Sequence, residues 1–374
     1  MKIRCAKERL VEGLNLVGRT VSIRTPLPIL ECILLTADEN GVRLTANDLE
    51  MSIETASIEA AVDTAGSVAL EARLFTEIVR KMPGEEISIE VKENNETECK
   101  SGKARFTIMG MPGDEFPVMP AMEQTSGYTV SATELRDMIR QTIFSVATVD
   151  DGKPVLTGEL IQQRDNALNM VAVDGFRISY RRLDLAETES QPDPAISVVV
   201  PAKALNELSR ALPTEAEDTV TFYFTDKRII FILPGFTFVS RLLEGEFIRY
   251  DQIFNEDFTT NVTVTRITLL NGLERAILVA RESKKSPVKL EIMESSVVIT
   301  SNTEMGTAYD EIQADVDGST LEIAFNPKYL IDALRAIDEE SVIVRFTTGL
   351  SPCVIRGVEN DRAKYLILPL RLRG

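Results

Sequence analysis

The side chains best suited to a chemical task are lysines and arginines that recur four or seven residues apart along amphipathic segments. The pairs are Arg73 and Arg80, Arg136 and Arg140, Lys203 and Arg210, and Lys328 and Arg335. Residues at these spacings project from one side of an α-helix. A cationic helix face can hold phosphate groups without reading bases. For any single helix, the alternative is an ordinary solvated face with ion pairs inside the helix.

Other chemistries are poorly supported. The 374 residues include no histidine, which excludes a Ser-His-Asp triad, a Cys-His dyad and an H-E-x-x-H metal site. Neither G-x-G-x-x-G nor G-x-x-x-x-G-K-[ST] occurs, so no nucleotide site is expected. Four cysteines, Cys5, Cys32, Cys99 and Cys353, lie far apart without a C-x-x-C pair, which predicts free buried thiols.

Carboxylates offer one enzymatic alternative. With 58 acidic residues, close pairs that could act as acid and base arise by chance, so a carboxylate-based hydrolase stays an alternative hypothesis. No carboxylate pair sits beside a nucleophile and a glycine-rich loop. Asp315–Gly318 resembles the start of a calcium loop but lacks the bidentate glutamate, so the segment is predicted to be a β-turn. The sequence predicts no catalytic site, no cofactor and no metal.

The composition is that of a globular protein of two or three domains, with 44% hydrophobic and 26% charged residues. No apolar run approaches the length of a membrane span and no secretory signal opens the chain, so a cytoplasmic protein is expected. A net charge of −17 would repel polyanions if the charge were spread evenly.

One pattern, a strand followed by an amphipathic helix, occurs six times. The helical windows are Ala6–Thr20, Glu71–Met82, Ala132–Thr148, Ala202–Leu212, Arg266–Arg281 and Pro327–Ile337. Proline-led segments that lead into strands follow the first, third and fifth helices, at Pro28–Leu35, Pro154–Leu160 and Pro287–Ile292. The repeating unit is therefore a pair, which predicts three similar domains at residues 1–121, 126–249 and 250–374.

Charge is segregated between the helices and the rest of the chain. The six windows hold fifteen Lys or Arg and nine Asp or Glu, a net of +6, which leaves −23 elsewhere. If the six helices line one surface, that surface is basic within an acidic body. Few aromatic side chains lie on the helices, which disfavours single-strand stacking. Duplex DNA inside a ring fits these features.

Four longer motifs carry a family resemblance: Thr25–Leu30, Ala172–Ile178, Leu243–Phe247 and Tyr365–Leu372. Together they resemble the bacterial beta sliding clamp family, the beta subunit of DNA polymerase III, along the whole chain. The resemblance implies an α+β DNA clamp fold of three similar domains, each with two β-α-β-rich repeats. It further implies a ring-shaped head-to-tail homodimer, with sheets outside and helices lining a central hole.

The family function implied is that of a non-catalytic processivity factor. Such a clamp encircles duplex DNA without sequence preference and tethers the replicative polymerase and repair polymerases, and an ATP-driven clamp loader opens it. A non-enzymatic interaction scaffold that does not meet DNA is the remaining alternative.

The resemblance also implies three sets of site residues. The first is an apolar groove for short hydrophobic peptide motifs of partner proteins, in which Arg177 and Arg371 could orient polar groups. Its positions are Leu156, Val173, Gly175, Phe176, Arg177, Ile178, Ile248, Gln252, Ile253, Ile367, Leu368, Pro369, Leu370, Arg371 and Leu372. Three depart from the family pattern: Phe176 stands for a frequent His, Ile248 for a usual Pro and Gln252 for a usual Arg. Arg373 and Gly374 extend beyond the usual end.

The second set is a dimer interface with one basic and one acidic edge. Its residues are Lys103, Arg105, Phe106 and Ile108 on the first domain, and Ile277, Leu278, Glu304, Asp310 and Glu311 on the third. The third set binds DNA and comprises Arg24, Arg73, Arg80, Lys153, Lys203 and Arg210. For Lys153, a solvated turn lysine is the alternative.

Overall fold

The computed structural model describes residues 1–22, 25–117, 127–148, 152–185, 196–215, 217–254, 257–279 and 287–371. The helices within these ranges are α1 Lys7–Val17, α2 Ala72–Lys81, α3 Ala132–Thr142, α4 Ala202–Ala211, α5 Arg266–Ala276 and α6 Pro327–Ala336. Each follows a strand directly or after one residue, so all six predicted strand–helix units are confirmed. None of the six has the length and hydropathy needed to cross a membrane.

Strands make up most of the remaining described chain. In order they are β1 Lys2–Ala6, β2 Cys32–Asp38, β3 Gly41–Asn47, β4 Met51–Thr55, β5 Ala60–Thr64, β6 Gly66–Glu71, β7 Glu86–Val91, β8 Glu96–Ser101, β9 Ala104–Met109, β10 Met111–Pro112, β11 Tyr128–Ser131, β12 Gly158–Arg164, β13 Ala167–Val173, β14 Arg177–Asp184, β15 Ser197–Pro201, β16 Thr219–Phe224, β17 Arg228–Leu233, β18 Phe236–Arg241, β19 Thr260–Thr265, β20 Val288–Ile292, β21 Ser296–Thr303, β22 Gly306–Gln313, β23 Asp315–Gly318, β24 Leu321–Phe325, β25 Ser341–Phe346, β26 Cys353–Gly357 and β27 Ala363–Ile367.

The chain divides into two compact units. The described residues of the first lie within Met1–Thr133 and Arg210–Leu242, and those of the second within Glu134–Ser190, Pro194–Ser209 and Leu243–Gly374.

The first unit contains a five-stranded and a nine-stranded sheet. Their strand orders are β5-β1-β7-β8-β9 and β10-β6-β2-β3-β4-β18-β17-β16-β11. The larger sheet joins distant parts of the chain, because β4 pairs antiparallel with β18, with Ile53 opposite Phe238. One continuous sheet thus crosses the predicted boundary between the first and second domains.

The second unit contains a nine-stranded sheet, β15-β12-β13-β14-β27-β26-β25-β19-β23, and a four-stranded sheet, β22-β21-β20-β24. Here β14 pairs antiparallel with β27, with Ile178 opposite Leu366. This pair joins the second and third predicted domains in the same way.

The nine-stranded sheet of the second unit is covered on both faces. Ile367 and Tyr365 of β27 belong to a core with α5, α6 and the four-stranded sheet. Their neighbour Leu366 points the other way, into an outer cluster packed by Leu243, Phe247 and Phe254. Because side chains alternate along a strand, adjacent residues of β27 pack into different cores on the two faces of the sheet.

Local signals explain where the helices begin and end. Glu71 accepts hydrogen bonds from the backbone N–H of Arg73 and Leu74, which caps the start of α2. That helix ends at Lys81, two residues before Pro83, which cannot continue a helix. Asn326 caps α6, and Pro327 occupies its first turn, where its fixed φ and missing N–H suit a helix start.

Two sequence expectations differ from the structure. The spacing of Leu74, Phe75, Ile78, Val79 and Met82 predicts one buried apolar stripe, but Leu74 is 48% exposed whereas the other four are buried. The segment Asp315–Gly318 forms strand β23 beside β19 rather than a β-turn. The proline-led segments at Pro28 and Pro154 lead into strands as expected, each after one 3₁₀ turn. All four cysteines are free and buried, as expected.

Candidate functional site

A tight turn between β13 and β14 displays an aromatic ring. Asp174 Oδ1 accepts hydrogen bonds from the backbone N–H of Phe176 at 2.9 Å and of Arg177 at 3.1 Å. Gly175 occupies φ 86°, a conformation that favours glycine. The turn leaves Phe176 55% exposed.

Arg177 anchors this turn from beneath. Its side chain is 8% exposed. Nε donates to Asp174 Oδ2 at 2.9 Å, Nη1 donates to Asp332 Oδ2 at 2.7 Å, and Nη2 donates to the Phe144 carbonyl. The guanidinium also lies 4.5 Å from the ring centre of Tyr329. These contacts tie the turn to α6, and three of the five N–H donors are engaged within the chain.

Phe176 stacks on Tyr329, with ring centres 6.2 Å apart and an interplanar angle of 22°. The C-terminal segment continues along the same edge, because Leu368 N donates to the Phe176 carbonyl at 2.9 Å. Leu370 N donates to the Ala324 carbonyl at 2.7 Å. The turn, α6 and the segment after β27 therefore meet at one place.

Beside the turn lies the outer apolar cluster. Its buried members are Leu160, Val171, Val173, Ile178, Val199, Tyr250, Val354 and Leu366, and its partly buried members are Leu156, Tyr180, Leu243, Phe247, Ile248, Phe254 and Phe258. Burial raises the pKa of Tyr250 to about 12, so its hydroxyl stays protonated at neutral pH and donates to Gln162 Oε1 at 2.9 Å. Ile253 and Leu368 are exposed, and each is close in sequence to a member of the cluster, Phe254 and Leu366 respectively. Such a surface suits a ligand with hydrophobic anchors.

Each unit also has an unfinished sheet edge. Within the described chain, β9 pairs with β8 alone and β22 pairs with β21 alone. Phe106 and Met109 are exposed on β9, and Tyr309 is 69% exposed on β22. A strand edge that carries exposed apolar side chains is a template for pairing with another chain.

The cations predicted to meet phosphate are exposed. Arg73, Arg80, Lys153, Lys203 and Arg210 all lie at the surface. Arg73 Nε is 3.5 Å from Glu77 on the same helix, and Arg80 donates to Asn15 Oδ1 on α1. Arg24 lies outside the described residues.

Comparison with known proteins gives these features a context. Family models of the DNA polymerase III beta subunit match its N-terminal domain at residues 1–120, its central domain at 129–248 and its C-terminal domain at 251–371. The chain is 34% identical to the Beta sliding clamp of Halalkalibacterium halodurans, over 98% of this chain and 98% of that protein. It is equally identical to the Beta sliding clamp of Bacillus subtilis, over 99% and 100% of the two chains.

A solved structure agrees. The crystal structure of the DNA polymerase sliding clamp from Bacillus subtilis superposes with a TM-score of 0.95 at 34% identity, covering both chains completely. The chain belongs to the DNA polymerase III beta subunit family. The resemblance inferred from the four motifs and the α+β clamp fold of three similar domains are thereby confirmed.

Within this family member, the structure places the expected groove residues in different environments. Leu156, Val173, Ile178 and Ile248 share the outer apolar cluster, and Gly175, Phe176 and Leu368 lie at its turn. Ile367 is 1% exposed and packs into the opposite core. Of the remaining members, Gln252, Ile253 and Arg371 are exposed, and Pro369 and Leu370 are partly buried. Leu372 lies outside the described residues.

The expected interface residues lie on or beside the edge strands β9 and β22. Lys103, Arg105 and Phe106 are exposed and Ile108 is half-buried at β9, while Leu278, Glu304 and Glu311 are exposed at the other edge. Ile277 is half-buried. Two charges are already paired within the chain: Arg105 Nε lies 2.8 Å from Glu98, and Asp310 forms an ion pair with Arg275.

Several residues beside these sites are missing from the sequence-based prediction. Tyr329 stacks with Phe176, and Met109, Met305 and Tyr309 are exposed at the sheet edges. The alternation of exposed residues along Gly306–Gln313 is a signal that could have identified Tyr309, because Thr307, Tyr309 and Glu311 share one face.

Proposed function

We propose that the chain is a DNA sliding clamp, a non-catalytic processivity factor that encircles duplex DNA as a head-to-tail homodimer. One observation carries the proposal beyond family membership. Each unit holds a nine-stranded sheet together with an incomplete one, of five strands in the first unit and four in the second. Pairing β9 of one copy with β22 of another would complete a third sheet of nine strands.

The two edges are suited to this pairing. An edge strand offers unpaired backbone groups to a second chain. Exposed apolar side chains lie at both edges, Phe106 and Met109 at β9 and Leu278, Met305 and Tyr309 at or beside β22, and pairing would bury them. Because the two edges differ, the contact is heterologous, and two such contacts close a ring of two copies. Lys103 on one edge and Glu304 and Glu311 on the other add charge complementarity.

Cations on the helices supply the contact with DNA. The exposed side chains of Arg73, Arg80, Lys203 and Arg210 contact phosphates, which gives affinity independent of base sequence. Lys153 joins them from the turn before β12. A closed ring needs only weak, mobile phosphate contacts, because it cannot leave the duplex without opening.

The outer apolar cluster, with Phe176, Ile253 and Leu368 at its exposed edge, is the docking site for short hydrophobic peptide motifs. The replicative polymerase, the clamp loader and repair polymerases are the partners, and the protein works in the cytoplasm. The sequence offers neither a histidine nor a nucleotide-binding motif for chemistry of its own.

A topological experiment tests the proposal. The protein is loaded on nicked circular DNA with a clamp loader and ATP, and the circle is then cut with a restriction enzyme. We expect the protein to stay on the circle in high salt and to leave after cutting. Binding that is lost in salt and does not respond to cutting would indicate a surface binder or a scaffold.

A further inference from the structure

The outer apolar cluster ends at Arg345, whose buried Nε has no hydrogen-bond partner. Ile178 of β14 lies opposite Leu366 of β27, and Leu366 lies opposite Val354 of β26. Val354 in turn lies opposite Arg345 of β25. These four residues form a row across one face of the sheet, apolar for three strands and cationic at the fourth.

Strand alternation places Arg345 on the outer face with the other members of the row. Its neighbours Val344 and Phe346 belong to the opposite core, so Arg345 points away from that core. Its guanidinium carbon lies 5.5 Å from the ring centre of Phe258, and Phe258 itself packs on the outer apolar cluster. The side chain is thus held against the edge of this cluster by a cation–π contact.

The guanidinium lacks an anion. Its Nε is buried without a hydrogen-bond partner, and no ion pair forms with Arg345 anywhere in the described part of the chain. By contrast, Arg177, which is buried on the opposite face of the same sheet, is paired with two carboxylates. A buried donor left unpaired is unfavourable, so the site is prepared for a group that accepts hydrogen bonds and carries negative charge.

A second arginine strengthens the positive potential. Arg356, on the neighbouring strand, donates through Nη1 to the Gly357 carbonyl at 2.7 Å and to two further carbonyls of the following loop. Burial lowers its pKa, and the charge of Arg345 lowers it further. Arg356 is therefore committed to the loop, whereas Arg345 is available to a ligand.

We propose that Arg345 is a specificity-determining residue that binds an acidic side chain, glutamate or aspartate, of a peptide docked on the outer apolar cluster. The inference rests on the proposed docking function of that cluster. It adds a charge requirement to a site that otherwise selects hydrophobic anchors.

A panel of synthetic octapeptides tests the proposal on the full-length protein. The parent peptide carries leucine and phenylalanine anchors with glutamine elsewhere, and it is acetylated and amidated so that no terminal charge remains. Each glutamine is replaced by glutamate in turn, and dissociation constants are measured by fluorescence anisotropy. We expect one glutamate peptide to bind wild-type protein about tenfold more tightly than the parent, since a hydrogen bond between two charged groups is stronger than one between neutral groups.

Variants assign the preference to Arg345. The Arg345→Met protein should bind every glutamate peptide only as tightly as it binds the parent peptide. Its unfolding midpoint should be unchanged, because the substitution removes a buried donor that has no partner. Arg345→Lys should retain part of the preference, since lysine keeps the charge but loses the planar fork. Arg362→Met removes an exposed arginine of the same unit and should leave the preference at its wild-type value.

The outcomes separate the two proposals. If the parent and all glutamate peptides fail to bind wild-type protein, the docking function of the cluster is wrong and the role of Arg345 falls with it. If the parent binds but no glutamate peptide is preferred, or if Arg345→Met keeps the preference, the role of Arg345 alone is wrong.

Discussion

At the scale of single residues, a fully buried acid stands out. Glu159 of β12 is 0% exposed, and Thr142 Oγ1 lies 3.2 Å from both of its carboxyl oxygens. The same hydroxyl lies 2.7 Å from the Met138 carbonyl, which is the shorter contact for its single proton. Burial raises the pKa of Glu159 well above its ordinary value. Burial thus favours the neutral form of the Glu159 carboxyl group, and the hydrogen bond from Thr142 opposes this shift only in part.

This acid should make stability depend on pH. The unfolded chain releases the Glu159 proton as pH rises through about 4.5, whereas the folded chain keeps it to a higher pH. The contribution of Glu159 to the free energy of unfolding therefore falls as pH rises, by at most about 1.4 kcal/mol per pH unit. Glu159→Gln removes this fall, so we expect the free energy of unfolding of the variant, relative to that of wild type, to increase as pH rises above about 4.5. Urea denaturation at several pH values measures the difference.

The control for this measurement is Glu359→Gln, at an exposed loop position. It should follow the wild-type pH profile. A Glu159→Gln profile parallel to wild type would contradict a neutral acid at this position.

Arg177 is a second residue whose environment sequence could not show. The resemblance suggested that it orients polar groups of a ligand, whereas the structure engages it with Asp174, Asp332 and the Phe144 carbonyl. We expect Arg177→Met to lower the free energy of unfolding by about 3–5 kcal/mol, because it leaves two partly buried carboxylates without their cation. Urea denaturation measures this loss.

Asp332→Asn is the matched comparison, since it keeps an oxygen that accepts from Nη1 and should cost about 1 kcal/mol. An equal loss for the two variants would show that Asp332 alone accounts for the effect.

At the scale of elements, the six strand–helix units were predictable because amphipathic periodicity and caps are local properties of sequence. The failures came from tertiary pairing. The segment Asp315–Gly318 carries turn-forming residues, yet β19 supplies a partner and makes it an edge strand. Leu74 follows the apolar composition of α2 but falls off its buried face.

The candidate site was predictable only in part, for the same reason. The motifs located the turn at Phe176 and the segment after β27. Tyr329 reaches the turn through the packing of α6, and Arg345 shares a face with Ile178 because β14 pairs with β27, far away in sequence. Local sequence patterns contain neither contact.

The unfinished edges support a prediction at this scale. Phe106→Glu places a carboxylate on β9 opposite the acidic edge proposed as its partner, so it should weaken dimerisation at least about 100-fold. Sedimentation equilibrium measures the dissociation constant. Met293→Glu, which changes an equally exposed apolar residue in the turn between β20 and β21, should leave the constant unchanged. A Phe106→Glu protein as dimeric as wild type would exclude β9 from the interface.

At the scale of the whole molecule, a negatively charged protein has to bind negatively charged DNA. The net charge is −17, yet the helical segments carry a net of +6, so attraction depends on where cations lie rather than on their sum. The rate of approach to DNA and its salt dependence should therefore report on the helical cations and Lys153 rather than on the net charge.

The double variant Arg73→Gln/Arg80→Gln tests this distribution. Each phosphate contact contributes about 0.9 to the slope of log affinity against log salt, so we expect the slope for duplex DNA to fall by about 2. Lys227→Gln/Arg241→Gln removes the same charge from exposed strand and turn positions of the same unit. An equal change for both pairs would mean that net charge, and not the helices, governs binding.

The pairing of β4 with β18 has a consequence for biosynthesis. About 180 residues separate Thr55 from Phe236 along the chain. At about 5–20 residues per second, a ribosome needs roughly 10–40 s to produce the second strand after the first. Throughout that interval β4 of the nascent N-terminal sheet is accessible to chaperones and to neighbouring nascent chains. It gains its partner strand β18 only when about two-thirds of translation is complete.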